Sequence, residues 1–215
     1  MKKIIPILFI INTSLWIISF SIAFVLLFRP FYYWHIKLLD IESKTGYTEI
    51  EIREAYDDVI NYCIYNKPFK TGTFKYSEEG KDHFKDCRKL FLINFIILGI
   101  TTIFLIIKLL FNNQIKIKKY SLSFWSGIGN ISFFLFLFLI TILIGFDNIF
   151  IKFHQLFFQG KTNWLLNPDK DQIINILPEQ FFMNCAIFIL GIIIIFSEII
   201  IIYGIFVKKK CEKDG

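Results

Sequence analysis

The sequence predicts an all-α polytopic membrane protein with four transmembrane helices, two structured extracytoplasmic loops and both termini in the cytoplasm. Three observations predict it. Charges vanish over stretches of about 20 residues, the length that crosses a hydrocarbon core of about 30 Å. Of the 215 residues, 55% are hydrophobic and 19% aromatic, with the apolar residues in long runs and not in the periodic pattern of a soluble domain. Lysine clusters with few acidic neighbours mark one set of span ends. The net charge of +6 therefore says nothing about nucleic acid; where the lysines sit matters more.

The spans fall at about residues 4–28, 90–111, 124–146 and 182–207, within a single membrane domain of residues 1–215. Lys2 and Lys3 give the first the look of a secretory signal. Its apolar stretch is too long for one, and no small-x-small cleavage site precedes Arg29, so it reads as a retained helix. Lys2 and Lys3, then Lys116, Lys118 and Lys119, then Lys208, Lys209, Lys210 and Lys213 mark one side; Glu212 and Asp214 are their few acidic neighbours. The opposite loops, residues 29–89 and 147–181, mix both signs. Positive charge stays inside, so these two loops face outward.

Arg29-Pro30 stops the first span, and Phe31-Tyr32-Tyr33-Trp34 reads as an interfacial aromatic belt. The loop that follows is too long to be structureless. Thr48-Glu49-Ile50-Glu51 has the form of a capping box, and Ile52, Tyr56, Val59, Ile60 and Cys63 share one face, which predicts an amphipathic helix from about Thr48 to Tyr62. A second start lies at Ser77, with Glu78 and Glu79 in the first turn; from there one helix runs through His83 and Cys87 into the second span. Gly127 and Gly129 open the third span and suit close helix packing. The second outer loop holds a short helical segment near Asp169 to Ile176, stopped by Pro178, whose aromatic surroundings suggest re-entry into the interface. Of the four cysteines, only Cys63 and Cys87 share the outer compartment, where a disulfide would persist.

All three histidines, His35, His83 and His154, fall on the outer side of this topology. General acid/base chemistry needs a group that titrates near neutrality, and imidazole supplies it unperturbed. In His83-Phe84-Lys85-Asp86-Cys87, helical spacing puts Asp86 and Cys87 one turn from His83, where a carboxylate can orient the imidazole. The alternative is an exposed helix start whose acid complements the helix dipole. His154 lies in Phe153-His154-Gln155-Leu156-Phe157-Phe158, ahead of Trp164, Pro168, Asp171 and Pro178-Glu179-Gln180-Phe181-Phe182. Its alternative is an interfacial side chain among aromatics. Two histidines from different spans on one leaflet suit an acid/base pair. His35, directly after the aromatic belt, reads as structural, and Trp34 and Trp164 as interface anchors. Glu198 inside the last span pairs most simply with Lys108 or serves structure. His83, Asp86, Cys87 and His154 are ligand types that suit zinc, but no metal-site spacing supports one, and no cofactor fingerprint is present.

At these residues the chain resembles the lipoprotein intramolecular transacylase (Lit) family of bacterial membrane proteins. Three stretches carry the resemblance: Pro30-Phe31-Tyr32-Tyr33 with Ile36-Lys37-Leu38-Leu39; Ser77 to Phe91, with its histidine, an acid three residues later, and a basic residue before Leu-Phe; and Phe153 to Phe182, with its histidine, double phenylalanine, tryptophan and Pro-Glu-x-Phe-Phe ending. The resemblance implies an intramolecular acyl transfer at the outer face of the bacterial cell membrane. The sn-2 acyl chain of a diacylglyceryl-cysteine lipoprotein moves to that cysteine's α-amino group, giving a lyso-form lipoprotein without cofactor or metal. It maps the family's two functional histidines onto His83 and His154, with His154 read as base, His83 as acid and Asp86 orienting His83. Tyr32, Tyr33 and Trp164 are candidates to position the glyceryl group or an oxyanion. Cys87 stands where valine is expected, which disfavours a thioester on it. The implied partners are diacylglyceryl lipoproteins and membrane lipid. The rival reading is a non-catalytic membrane module that binds lipid or a partner; a third, a proton-coupled transporter centred on Glu198, suits four spans poorly.

Overall fold

The computed structural model describes residues 4–110 and 119–213; Lys2, Lys3, Lys116, Lys118 and Asp214, on which the expected orientation partly rests, lie outside the described residues. The chain is helical: α1 (Ile4–Leu27), α2 (Arg29–Leu38), α3 (Ile41–Thr45), α4 (Glu49–Tyr65), α5 (Glu78–Leu110), α6 (Lys119–Ile144), α7 (Phe146–Phe157), a 3-10 turn (Gln172–Ile176) and α8 (Glu179–Lys213). Among the described residues, four helical stretches are long and apolar enough to cross a membrane: Ile7–Leu27, Glu78–Lys108, Phe124–Ile144 and Glu179–Phe206. The protein is a multi-pass membrane protein. The 33 residues of α5 extend about 50 Å at 1.5 Å per residue, well beyond a hydrocarbon core of about 30 Å. Its charged first turns, from Glu78 to Lys89, therefore stand beyond its apolar stretch.

The chain divides into two compact units. The first comprises residues 1–24, 94–140 and 187–215. Lipid offers its helices no hydrophobic incentive to associate, so packing and polar contacts must hold them. Trp16 Nε1 donates to Thr102 Oγ1 at 3.0 Å, Asn12 Nδ2 to Thr101 O at 3.3 Å and Asn94 Nδ2 to Ser19 O at 3.1 Å, tying α1 to α5. Phe196 of α8 packs edge-on against Trp16 and Phe20 of α1. Gly127 brings α6 against α8 so closely that a Cβ there would lie 2.7 Å from Ser197 O, which is the close packing its sequence position suggests. Glu198 is exposed on α8, while the Lys108 ammonium lies 2.9 Å from the centroid of the Phe9 ring.

The second unit comprises residues 25–93 and 141–186, and it holds the histidines. The capping box is present: Glu51 N donates to Thr48 Oγ1, and Thr48 N to Glu51 Oε2. It starts α4, whose Ile52, Ala55, Tyr56, Val59, Ile60 and Cys63 are buried. They pack with Tyr32, Ile36, Phe84, Ile173, Ile176 and Phe181 into one core. Burial pushes the Cys63 thiol up to about 12, and Cys63, Cys87 and Cys185 are all free. The belt residues 31–34 do not form a single interfacial band. They lie in α2, where a helical turn sends neighbours to different faces: Tyr32 is fully buried and stacked on Tyr56 with ring centroids 3.8 Å apart, whereas Trp34 is exposed.

The junction of the two sequence-distant segments in this unit rests on Asp171, which is 2% exposed. Its Oδ1 accepts from Ser77 N at 2.8 Å, and the Ser77 hydroxyl reaches both carboxylate oxygens at 2.9 Å. The same hydroxyl accepts from Gly80 N at 3.0 Å, capping α5 as a serine should. Gly80 is required here, because a Cβ would lie 2.0 Å from Asp171 Oδ1. Gly80→Ala is therefore expected to cost about 1–3 kcal/mol, the scale of a broken buried hydrogen bond. In detergent its thermal midpoint should fall by roughly 2–4 °C per kcal/mol; an unchanged midpoint would show that Asp171 shifts aside freely.

Candidate active site

Gly145, at φ +89°, ends α6 and lets the chain restart as α7. Phe146, Phe150, Phe153 and Phe157 recur at helical spacing along α7, and His154 sits among them as its buried residue. On α5, His83 is likewise buried. The two imidazoles meet with centroids 5.9 Å apart and planes tilted by 32°. Phe158 closes the pair, with its centroid 5.1 Å from His83 and 5.6 Å from His154. Trp164 lies over His154 at 5.0 Å, tilted by 32°, and Phe150 lies 4.3 Å from the same ring. Two imidazolium ions this close would repel in an apolar setting, so the pair holds at most one charge cheaply.

The partners of each ring nitrogen set its role. His154 Nδ1 lies 2.7 Å from the Phe150 carbonyl. A carbonyl only accepts, so Nδ1 carries the proton and Nε2 of the neutral ring presents a lone pair. His83 Nε2 lies 3.5 Å from Cys87 Sγ, while its Nδ1 is buried without a partner among the described residues. An orphaned buried donor or acceptor is costly, which marks Nδ1 as the atom that awaits something. His35 differs from both. Its Nδ1 donates to Phe31 O at 2.6 Å and its Nε2 accepts from Asn184 Nδ2 at 3.0 Å, so both nitrogens are spent within the fold.

Asp86 lies one turn from His83, as its spacing requires, but its hydrogen bonds go elsewhere. Oδ1 accepts from Lys89 at 2.9 Å; Oδ2 accepts from Lys161, across 75 residues of chain, and from Asn163 Nδ2 at 3.3 Å. The side chain is 9% exposed against 48% for Lys161 and 61% for Lys89, so the carboxylate is the buried end of the network. Among the described residues none of its bonds reaches His83; it ties the segment after α7 to α5. Trp164 Nε1 donates to Lys161 O at 3.1 Å, so that tie also seats the indole over His154. Lys161 and Asn163 had no local signal in the sequence, since their partner is remote.

The two tyrosines proposed for positioning are not brought to the pair through their hydroxyls. Tyr32 donates to Ile176 O at 2.8 Å, and Tyr33 donates to Asp57 at 2.8 Å. Trp164 alone of those three contacts a histidine of the pair. Beside the pair, a cleft of about 630 Å³ opens between the first turns of α5 and the segment after α7.

A sequence profile described as the lipoprotein intramolecular transacylase Lit matches residues 7–182. Three solved structures of the membrane integral lipoprotein intramolecular transacylase Lit from Bacillus cereus resemble the chain closely. One is 28% identical, covers 98% of this chain and 97% of its own, and superposes with a TM-score of 0.86. A second carries a histidine-to-arginine mutation: 25% identity, 99% and 94% coverage, TM-score 0.85. A third carries a histidine-to-alanine mutation: 26% identity, 98% and 95% coverage, TM-score 0.76. Among curated protein sequences none matches.

If Asp86 holds the segment after α7, Asp86→Ala should free it. Hydrogen exchange over residues 159–167 is expected to rise about tenfold, equivalent to ~1.4 kcal/mol of opening free energy, while α4 stays protected. Unchanged exchange in that segment would assign the tie to other contacts.

Proposed function

The chain belongs to the lipoprotein intramolecular transacylase family, and from that membership we propose a specific transfer carried by its two buried histidines. The protein is a multi-pass membrane acyltransferase whose family acts on lipoproteins. In our reading the substrate is a diacylglyceryl-cysteine lipoprotein in the bacterial cell membrane. Its sn-2 acyl chain moves to the cysteine's own α-amino group at the outer face. The observation that carries this reading is the His83–His154 pair, 5.9 Å between centroids, with one nitrogen of each ring left for substrate.

The chemistry follows from those nitrogens. The α-amine attacks the ester carbonyl carbon, forming the C–N bond. His154 Nε2 takes the amine proton, its ring held in the right tautomer by the Phe150 carbonyl. The bond from the carbonyl carbon to the sn-2 glycerol oxygen then breaks, and His83 Nδ1 delivers a proton to that oxygen. One proton leaves nitrogen and one arrives at oxygen; as His83 Nδ1 gives up its proton, the His154 imidazolium beside it replaces it, and both rings return to the neutral state. For Nδ1 to donate, His83 Nε2 must be the acceptor, and the Cys87 thiol at 3.5 Å serves as its weak donor. Trp164 and Phe158 shield the pair from water, which would otherwise hydrolyse the ester. Asp86 contributes indirectly, by seating Trp164.

General acid and base catalysis contributes about 10²–10⁴-fold each. Expressed in a bacterium whose lipoproteins keep a free α-amine, the protein should yield N-terminal lipopeptides of unchanged total mass with one acyl chain on nitrogen, read by fragmentation mass spectrometry. His83→Ala and His154→Ala are each expected to lower that yield by at least about 100-fold while remaining in the membrane. Retained transfer in His154→Ala would sink the assignment of the base.

A further inference from the structure

We propose that the polar cleft beside the histidine pair receives the lipoprotein's own polypeptide, the residues that follow the lipidated cysteine. This rests on the transfer reading above and adds to it the part of the substrate that does not react. The acyl chains and the glyceryl group are apolar or nearly so; the peptide is neither. Its backbone begins one carbon from the attacking amine, so it must leave from beside His83 and His154, and it needs polar surroundings when it does.

The cleft meets those requirements. Asp86 forms part of its wall and lies one helical turn from His83, roughly 5–6 Å between Cβ atoms. The opposite wall is the segment after α7, in which Lys161 and Asn163 line the cleft while the adjoining Trp164 stacks on His154. The reacting pair and the cleft are thus two sides of one strap, tied at Asp86 and again at Asp171. The histidines do not themselves line the cleft; it begins one helical turn from His83, at Asp86, and a chain that leaves the pair on that side meets it.

The lining also indicates what kind of peptide fits. Two exposed acids, Glu79 and Asp82, and two exposed lysines, Lys85 and Lys170, face the cleft, and none forms an ion pair among the described residues. With Lys89 and Lys161 committed to Asp86, the remaining side chains are balanced in sign. Such a surface offers donors and acceptors to a peptide backbone and does not select one net charge. It suits a substrate class whose members share a lipidated cysteine and differ in the residues after it. The lining on α5 runs from Glu79 to Lys89, about 15 Å of helix at 1.5 Å per residue, which an extended peptide at about 3.3 Å per residue spans in four to five residues.

The test uses the purified full-length protein in bilayer discs and a series of diacylglyceryl-cysteine substrates, from the single cysteine amide to peptides of ten residues. If the cleft binds peptide, kcat/KM should rise by about tenfold over the first four or five residues and then level off, as remote binding energy predicts. Thr162→Trp, which narrows the cleft without touching the pair, should remove that gain and leave the cysteine amide at the wild-type rate. A kcat/KM independent of length, with the amide turned over normally, would overturn the cleft assignment and leave the transfer reading intact. So would a Thr162→Trp variant that keeps the full gain. Absence of transfer on every substrate by correctly inserted protein would overturn the transfer reading, and the cleft assignment with it.

Discussion

Two buried carboxylates, Asp86 and Asp171, join the segments of the second unit, and the first of them organises the site. Asp86 sits on the charged first turns of α5, 9% exposed, where an unpaired charge would be intolerable. The nearest local partner, Lys89, satisfies one oxygen; the other is satisfied by Lys161 and Asn163 from a segment 75 or more residues away. Breaking such a pair costs more than making it contributes, because the carboxylate would be left buried alone. The long segment after α7 is therefore held to α5 by the cost of release. Everything at the site follows from that: Trp164 is seated by the Lys161 carbonyl, His154 is covered by Trp164, and the wall of the cleft is fixed.

The three histidines show how a residue type that invites catalytic readings is sorted by its partners. All three are buried, so burial does not separate them. His35 has a carbonyl on one nitrogen and an amide on the other, a finished arrangement with nothing left to exchange. His154 has a carbonyl on one nitrogen only, which fixes its tautomer and leaves a defined lone pair. His83 has a thiol on one nitrogen and, among the described residues, nothing on the other. Only the last two rings can pass a proton to a substrate without first breaking a bond of the fold, and they are the two that touch.

Much of this was legible in the sequence wherever the signal was local. The capping box at Thr48 needs only three residues to declare itself, and α4 follows. The run from Ser77 through Cys87 contains no proline, and its one glycine, Gly80, falls in the first turn, so α5 continues as its pattern says, and the spacing of four brings Cys87 to His83. What failed to show was non-local. Spacing assigned Asp86 to His83, but helical proximity is weaker than a charge partner, and the lysine that claims Asp86 lies across the chain. Tyr32 and Tyr33 looked like a belt because both are aromatic beside a span; their hydroxyls found acceptors within the fold. α7 was hidden for a different reason. The apolar run ends near residue 146, and the polar Asp147, Asn148 and Lys152 that follow read as a loop, although past Gly145, at positive φ, the chain restarts as an amphipathic helix.

The thiol beside His83 raises the question of a covalent route, since a cysteine within reach of an imidazole is the arrangement that builds thioesters. The arrangement of nitrogens argues otherwise. In a nucleophilic dyad the base must accept the thiol proton and then pass it to the leaving group from the same face, yet the unpartnered nitrogen of His83 is Nδ1, on the opposite side of the ring from Cys87. A thioester would also gain little. Covalent catalysis is useful when acceptor and donor must be brought together in turn, whereas in the proposed transfer ester and amine are already joined through one cysteine. Well-oriented intramolecular reactants reach effective molarities of about 10⁵–10⁸ M, so the protein's task is to hold the ends near one another and move a proton. Two rings, each with one nitrogen committed and one open, are sufficient for that. In the proposed transfer the thiol's contribution is to fill His83 Nε2, which leaves Nδ1 as the ring's donor.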